Sequence, residues 1–477
     1  MTPELESKVR VHAAIAARRA RDRDHPVLLS VSLPAAARED PLTLLENTSV
    51  TDGHSFFWQQ PAERFAIAAS GAAAFCTGHG TSRFAEVAAA RDLIMREAVC
   101  ASLVPDLSEA GPRFVGGFAF APEGDVDGPW KGFPPGRLVL PRVHVTQRGA
   151  AAALTCNAMV DASDVADEIA RGLVGELARI EAAARGNGCS DQALAESYET
   201  TTARYEAAAA QPLPQWREAV VETVADIRAG RLRKLVLARG CTVRSERPFG
   251  CARLVHRLRQ SYPDCTTFWI HTPLGDFVGA TPEVLASLSG GVVRTAAVAG
   301  SIGRGTSPEV DRAMGIALLS SPKERDEHGI VVSAIESTLA PLCATIDVAQ
   351  EPRLLDLDNV RHLVTPITGR LEARHDLLDL VERLHPTPAV AGHPCGAALE
   401  VLNRRERFDR GWYAGPVGWT DGSGEGEFVV ALRSALVRGA DALLYAGAGI
   451  VAGSDPDAEI AETRLKLQPM LSALLEL

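Results

Sequence analysis

The most constraining feature of this 477-residue chain is its rhythm of short apolar runs broken by glycine and proline. RFAIAAS (64–70), FVGGFAFAPEG (114–124) and RLVLPRVHVTQ (137–147) are apolar and flanked or split by turn residues. They predict strands rather than helices. Helices are predicted at about 82–102 and over 162–186, where Val165, Ile169, Leu173, Leu177 and Ile180 keep helical spacing. After residue 206 the alternation sharpens. A helix over 213–229 precedes the strand KLVLARGCTV (234–243), a helix over 249–261 and the strands TTFWIHT and DFVGAT. A helix begins near Ser321, a strand pair occupies 352–371, and a helix covers 375–383. Strands near 411–419, 427–437 and 441–446 precede a last helix over 456–476. Hairpin-like strands with helices between them describe an α/β or α+β body with mostly antiparallel sheet. The polar stretch 187–205 is the best linker candidate and divides the chain into 1–205 and 206–477, within what is expected to be one compact body.

Charge narrows the partners. The formal net charge is −11, which disfavours nucleic acid and anionic membrane surfaces, since both need a basic face. A small anionic substrate is still allowed, because a pocket can differ in sign from the whole. No run of about 18 apolar residues is free of charge, so no membrane span is expected. The N-terminus lacks the apolar core of a signal peptide. The nine cysteines are scattered, with no C-x-x-C pair. That argues against a disulfide framework or a cysteine zinc site and fits a cytoplasmic protein.

Several charged residues stand where chemistry is possible. In SDPDAEIAETRLKLQPML, Asp455 suits a helix N-cap and Pro456 the first helical position. Glu459, Glu462 and Lys466 then fall on one helix face. Spacing alone is also met by a surface Glu–Lys pair. The preceding stretch YAGAGIVAGSDP (445–456), read as a loop of small residues, would let backbone approach a ligand closely. Ser321-Pro322-Lys323-Glu324 reads as a capping box, with Glu327 and His328 one turn further on. Carboxylates from two helices, without cysteine nearby, suit a hard cation such as Mg²⁺; each alone is equally a solvated helix carboxylate. Lys234 opens an apolar strand, as a base or as an edge-strand lysine would. Glu283 follows a proline at a strand end, and Arg433 interrupts an apolar strand run, where a buried cation calls for an anionic partner. His362 and His385 border apolar runs and read singly as core histidines.

Taken in order, these segments resemble the chorismate-utilising enzymes. The matching pieces are RKLVLAR (233–239), VGATPEVL (278–285), TAAVAGSIGRG (295–305), SSPKERDEHGIVV (320–332), LHPTPAVAG (384–392), YAGPVGW (413–419), FVVALRSA (428–435) and YAGAGIVAGSDPDAEIAETRLKL (445–467). FFWQQP (56–61), FVGGFAF (114–120) and WKGFPPGRLVLP (130–141) are similar to isochorismate synthases in particular. The resemblance covers about 50–477. It implies two large, mostly antiparallel sheets packed face to face with helices outside. It implies a monomer acting on chorismate with Mg²⁺.

The resemblance also assigns roles. Lys234 matches the base that activates water for attack at C2, and Glu283 the acid that protonates the departing C4 hydroxyl. Glu327 and Glu462 match Mg²⁺ carboxylates, with Glu459 a further one. Arg433, Tyr413 and Lys466 match groups that hold substrate carboxylates. The backbone at Gly300-Ser301 and Gly447-Gly449 matches the pocket wall, and His362 a histidine beside the reacting ring. Lys234 and Glu283 would need opposite protonation states at neutral pH, a free amine and a protonated carboxyl.

Lys234 disfavours the ammonia-using relatives. Ala389, where salicylate synthases tend to carry threonine, points to release of isochorismate, while Leu432 leans toward salicylate synthase. The expected activity is therefore isochorismate synthase, an isomerase. Salicylate synthase is the alternative, and an inactive chorismate-binding homologue is the non-enzyme alternative. Menaquinone, siderophore and salicylate-derived pathways are all open to the product.

Overall fold

The computed structural model describes residues 3–35, 40–47, 53–103, 110–124, 127–186 and 204–475. The apolar runs form two sheets, of 13 and 10 strands. Among the described residues all pairings are antiparallel except that of Val27–Pro34 with Val99–Ser102. The larger sheet runs from Tyr205–Ala209 through Lys234–Ser245, Asp441–Ile450, Ser434–Arg438 and Gly275–Thr281 to the N-terminal strands. The smaller runs from Cys343–Val348 through Val360–Leu371, Val292–Gly303, Val284–Ser289 and Gly426–Val430 to Arg113–Phe118, Gly136–Leu140 and Ala74–Gly78. Both sheets take strands from before and after residue 205. Residues 187–203 of the expected linker lie outside the described residues.

The main core lies between the sheets. Phe65 of the larger meets Trp419 of the smaller at 5.5 Å between ring centroids. Two further cores lie on the outer side of the larger sheet. Helices Pro3–Arg23 and Ala166–Gly186 cover its N-terminal strands, and Cys251–Ser261 and Pro456–Leu475 cover the rest. Ile460, Leu467, Met470 and Leu474 of the last helix are buried, and Leu471 is half-buried.

Several expectations need correction. The predicted helix at 82–102 stops at Arg96, and Val99–Ser102 pairs as a strand with Leu29–Ser32. Sheet pairing there outweighs local helix propensity. RLVLPRVHVTQ is two strands, Gly136–Leu140 in the smaller sheet and Val143–Arg148 in the larger. The break falls at Pro141, which has no N–H for a ladder. The run 427–437 likewise divides into Gly426–Val430 and Ser434–Arg438, one in each sheet. Helices Pro3–Arg23 and Pro308–Ser320 were not predicted; the second is capped by Ser307, with Pro308 at its first position. The first half of the supposed loop 445–456 is strand, because Ala446–Ile450 pairs with Leu235–Arg239.

Candidate active site

The site lies where the two sheets meet the helices Pro322–Leu339 and Pro456–Leu475. Four local devices build it. First, the capping box at Ser321 is half made. Its hydroxyl accepts from the Glu324 amide, but the Glu324 carboxylate instead accepts from the Ser301 amide at 3.1 Å. That bond anchors a bulge in Val292–Gly303, where Gly300 sits at φ +78° and a Cβ would stand 3.2 Å from Glu324 Oε2. Second, Asp455 caps the last helix, accepting from the amides of Asp457 and Ala458 at 3.0 Å. This fixes the register that puts Glu459, Glu462 and Lys466 on the inner side.

Third, the chain crosses between the sheets at Arg433. Its φ of +47° is rare for a residue with a side chain, and the crossing turns its guanidinium into the interior. The sequence placed Arg433 inside a strand; it stands at a strand break instead. Fourth, Gly449 leaves room. A Cβ there would lie 2.4 Å from Glu327 Oε1 and 3.1 Å from Lys234 Cε.

These devices bring Lys234, Glu283, Gly300, Ser301, Glu327, His362, Ala389, Tyr413, Arg433, Gly447, Gly449, Glu462 and Lys466 around one cavity. Glu459 does not line it; it lies behind, 1% exposed, next to Lys323. His385 does not line it either and is a core residue, its Nε2 3.0 Å from the Phe120 carbonyl.

Lys234 is 1% exposed, and its Nζ stands 2.8 Å from Glu327 Oε1. Burial alone would raise the Glu327 carboxyl, but Lys234, with Lys466 and Lys323 further off, holds it below the usual carboxylate range. Lys466 pairs with Glu462 at 2.7 Å and donates to the Gly447 carbonyl at 3.0 Å. Glu283 has no ion pair among the described residues. Burial pushes its carboxyl up to about 7, against the pull of Lys234, Lys466 and Arg433. Arg433 Nη2 donates to His362 Nε2 at 3.0 Å, so the ring proton sits on Nδ1, 2.9 Å from Ser301 Oγ. Burial, then the charges of Arg433 and Lys466, keeps that imidazole neutral. Arg433 Nη1 is buried with no hydrogen-bond partner among the described residues.

The carboxylates form a second group. Burial and then Glu462 push Glu459 up to about 6. Glu324 is raised by burial and then by Glu327. Lys323 lies 3.3 Å from Glu459 and 3.5 Å from Glu324. Among the described residues no three His, Cys, Asp or Glu side chains are gathered to hold a metal as they stand; lysines are the close partners of these carboxylates. The donor chemistry nevertheless fits a hard cation, since crowded carboxylates that raise one another's pKa are relieved by one.

Sequence reasoning missed three contributors. Glu324 was seen only as a cap. Arg410 and Glu406 form a buried pair at 2.5 Å. Arg410 donates to the carbonyls of Val236 and Val390, and Glu406 accepts from the Ala238 amide. The pair thereby holds the Lys234 strand against the segment carrying Ala389. Its i, i+4 spacing was the one available signal.

With this geometry established, relatives can be compared. The family model described as "chorismate binding enzyme" matches residues 13–475. The chain belongs to the chorismate-binding enzymes. The salicylate biosynthesis isochorismate synthase of Pseudomonas aeruginosa is 36% identical, over 94% of this chain and 91% of that protein. Isochorismate synthase MenF of Bacillus subtilis is 33% identical over 99% of both chains. Among solved structures, MenF, the menaquinone-specific isochorismate synthase from Escherichia coli, superposes with a TM-score of 0.76 at 26% identity, covering 97% of this chain and all of that one. Anthranilate synthase component I from Streptococcus pneumoniae, at 19% identity and a TM-score of 0.67 over 85% of this chain and 92% of that one, shares the fold. The two-sheet architecture is thus that of the chorismate-binding enzymes. No helix among the described residues is long and apolar enough to cross a membrane.

Proposed function

We propose that this chorismate-binding enzyme is an isochorismate synthase, converting chorismate to isochorismate with Mg²⁺. One observation carries the reading: a buried lysine and a buried carboxyl whose pKa burial pushes up to about 7 line one cavity with Arg433 and Lys466. Chorismate is a dianion with a cyclohexadiene ring. Arg433, whose Nη1 is free to donate, and Lys466 offer cations for its carboxylates. Tyr413 and the backbone at Gly300 and Gly447 complete the wall, and neutral His362 faces the same space.

The reaction needs a base and an acid acting on different carbons. Lys234 takes a proton from water while the oxygen bonds to C2. The ring double bonds shift, the C4–O bond breaks, and Glu283 gives its proton to the departing hydroxyl. One water enters and one leaves, so the reaction is an isomerisation. Lys234 must release or share its contact with Glu327 to act. Glu327, Glu462 and, behind them, Glu459 are the residues that would hold Mg²⁺, which supplies positive charge against a substrate carboxylate. Ala389 leaves the wall unfilled at the position where salicylate synthases tend to carry threonine, which supports isochorismate as the released product.

Incubation with chorismate and Mg²⁺, with product identification, tests the proposal. Isochorismate is expected, and a coupled isochorismatase should then release pyruvate. Pyruvate without that partner enzyme would indicate salicylate synthase, and no turnover would indicate a binding protein.

A further inference from the structure

The last helix, Pro456–Leu475, carries a proline in its interior, Pro469. A helical carbonyl accepts from the amide four residues on, and proline has no N–H to give. The carbonyl that loses its helical donor is therefore that of Leu465, the residue before Lys466. Leu465 is half-buried, where a backbone carbonyl without a partner is costly. The donor comes from outside the helix: Asn359 Nδ2 donates to the Leu465 carbonyl at 2.6 Å. The acceptor fixes which end of the amide faces the helix, since a carbonyl can only accept. The other end, Oδ1, is buried and has no hydrogen-bond partner among the described residues.

Asn359 is held from a firm base. It stands in the turn of the hairpin that joins Arg353–Asp356 to Val360–Leu371. Arg304 donates to the Leu357 carbonyl at 2.7 Å and grips the Asp311 carboxylate with two bonds of 2.8 Å. Arg361 donates to the carbonyl and the carboxylate of Asp311 and to Asp356. The turn is thereby tied to the helix Pro308–Ser320. His362, three residues after Asn359, lines the substrate cavity and accepts from Arg433. On the other side of the bond, Lys466 follows Leu465 directly and reaches the Gly447 carbonyl and Glu462. One hydrogen bond thus joins the strand that steadies Arg433 to the helix that carries Lys466.

We propose that Asn359 is a positioning residue for substrate binding. By taking the carbonyl that Pro469 leaves without a donor, it fixes the last helix at Lys466 and so sets the spacing between Lys466 and Arg433. A dianion is held at both carboxylates only while that spacing is kept. The inference rests on the proposed role of these two cations toward chorismate. Lys466 would meet a substrate carboxylate in the ground state and in the transition state alike, so a loss of positioning acts on affinity more than on the chemical step.

Chorismate affinity by calorimetry, with KM and kcat alongside, tests this in the wild type, Asn359→Ala, Pro469→Ala and the double variant. Asn359→Ala should weaken chorismate binding about tenfold and raise KM to match, with kcat held within about threefold. Alanine at 469 restores the missing N–H, so in the Pro469→Ala background the same change should cost at most about twofold. Equal weakening in both backgrounds would overturn the proposal. So would a lowered Tm with unchanged affinity, the mark of a merely structural asparagine, or no chorismate binding by the wild type. If Pro469→Ala does not fold, Asn359→Asp serves instead. It sets a carboxylate against the Leu465 carbonyl and should bind chorismate more weakly than Asn359→Ala; wild-type affinity there refutes the assignment. The expected pattern of affinities without formation of isochorismate would uphold this role and refute the assigned reaction, which keeps the two failures distinct.

Discussion

Replacing Glu283 by glutamine should cost turnover and add stability, and the structure sets the size of that exchange. The carboxyl is 6% exposed, and burial moves its pKa from an ordinary 4.5 to about 7. In the unfolded chain it returns to the ordinary value. Between these two pH values the folded protein binds the extra proton, so the contribution to stability is fully present below pH 4.5 and is lost as pH rises through 7. At about 1.4 kcal/mol per pKa unit, the ionised carboxylate costs the fold roughly 3 kcal/mol above neutrality. Glutamine cannot ionise and escapes that cost. For a chain of this length the difference corresponds to about 3 °C in Tm. Thermal unfolding of both proteins from pH 4.5 to 8.5 measures it, and the other titrating carboxylates cancel in the difference. Glu283→Gln should match the wild type at the acid end and exceed it by about 3 °C at the alkaline end. A difference that does not change with pH would refute the reasoning, because Glu283 would then titrate as an exposed carboxyl does. Kinetics provide the second arm. Wild-type kcat/KM should fall about tenfold per pH unit well above 7, as the acid ionises. Turnover retained by Glu283→Gln in either direction would remove this residue from the acid role.

Three further outcomes follow from the same geometry. Lys234→Ala should abolish turnover, by at least about 10²-fold as for a lost general base, while chorismate affinity measured by calorimetry stays within a few-fold; wild-type rates would sink the base assignment. Glu462→Ala removes a proposed cation ligand and leaves Lys466 unpaired, so half-maximal activity should require more Mg²⁺, and an unchanged titration would move the cation elsewhere. Glu406→Ala leaves Arg410 buried without its carboxylate and should destabilise the protein by about 3–5 kcal/mol; denaturant midpoints within error of the wild type would show that the pair does not hold the Lys234 strand.

Much of the site was legible in sequence because its signals are local. The Asp455 cap fixes helical phase, so Glu459, Glu462 and Lys466 could be assigned to one face from their spacing alone. The Ser321 cap did the same for Glu327, although the carboxylate expected to close that box serves Ser301 instead. Ordered motifs pointed to the family, which the match over 13–475 shows.

What the chain could not reveal locally concerns contacts between distant residues. Arg433 looked like a charge within a strand, because the change of sheet at that point depends on strands more than a hundred residues away. The stretch after Tyr445 looked like a loop, since its small residues disfavour strand until Leu235–Arg239 supplies a partner. Arg410 and Glu406 gave little sign of their role, as their value lies in backbone atoms of Val236, Ala238 and Val390. The sequence by itself determined residue types, helix phases and the order of motifs, which are properties of short range. Tertiary structure alone decided that Lys234 meets Glu327 and that Glu283 is buried with no ion-pair partner among the described residues. Burial and field at a site are sums over segments far apart in the chain, and they take their values only when those segments pack together.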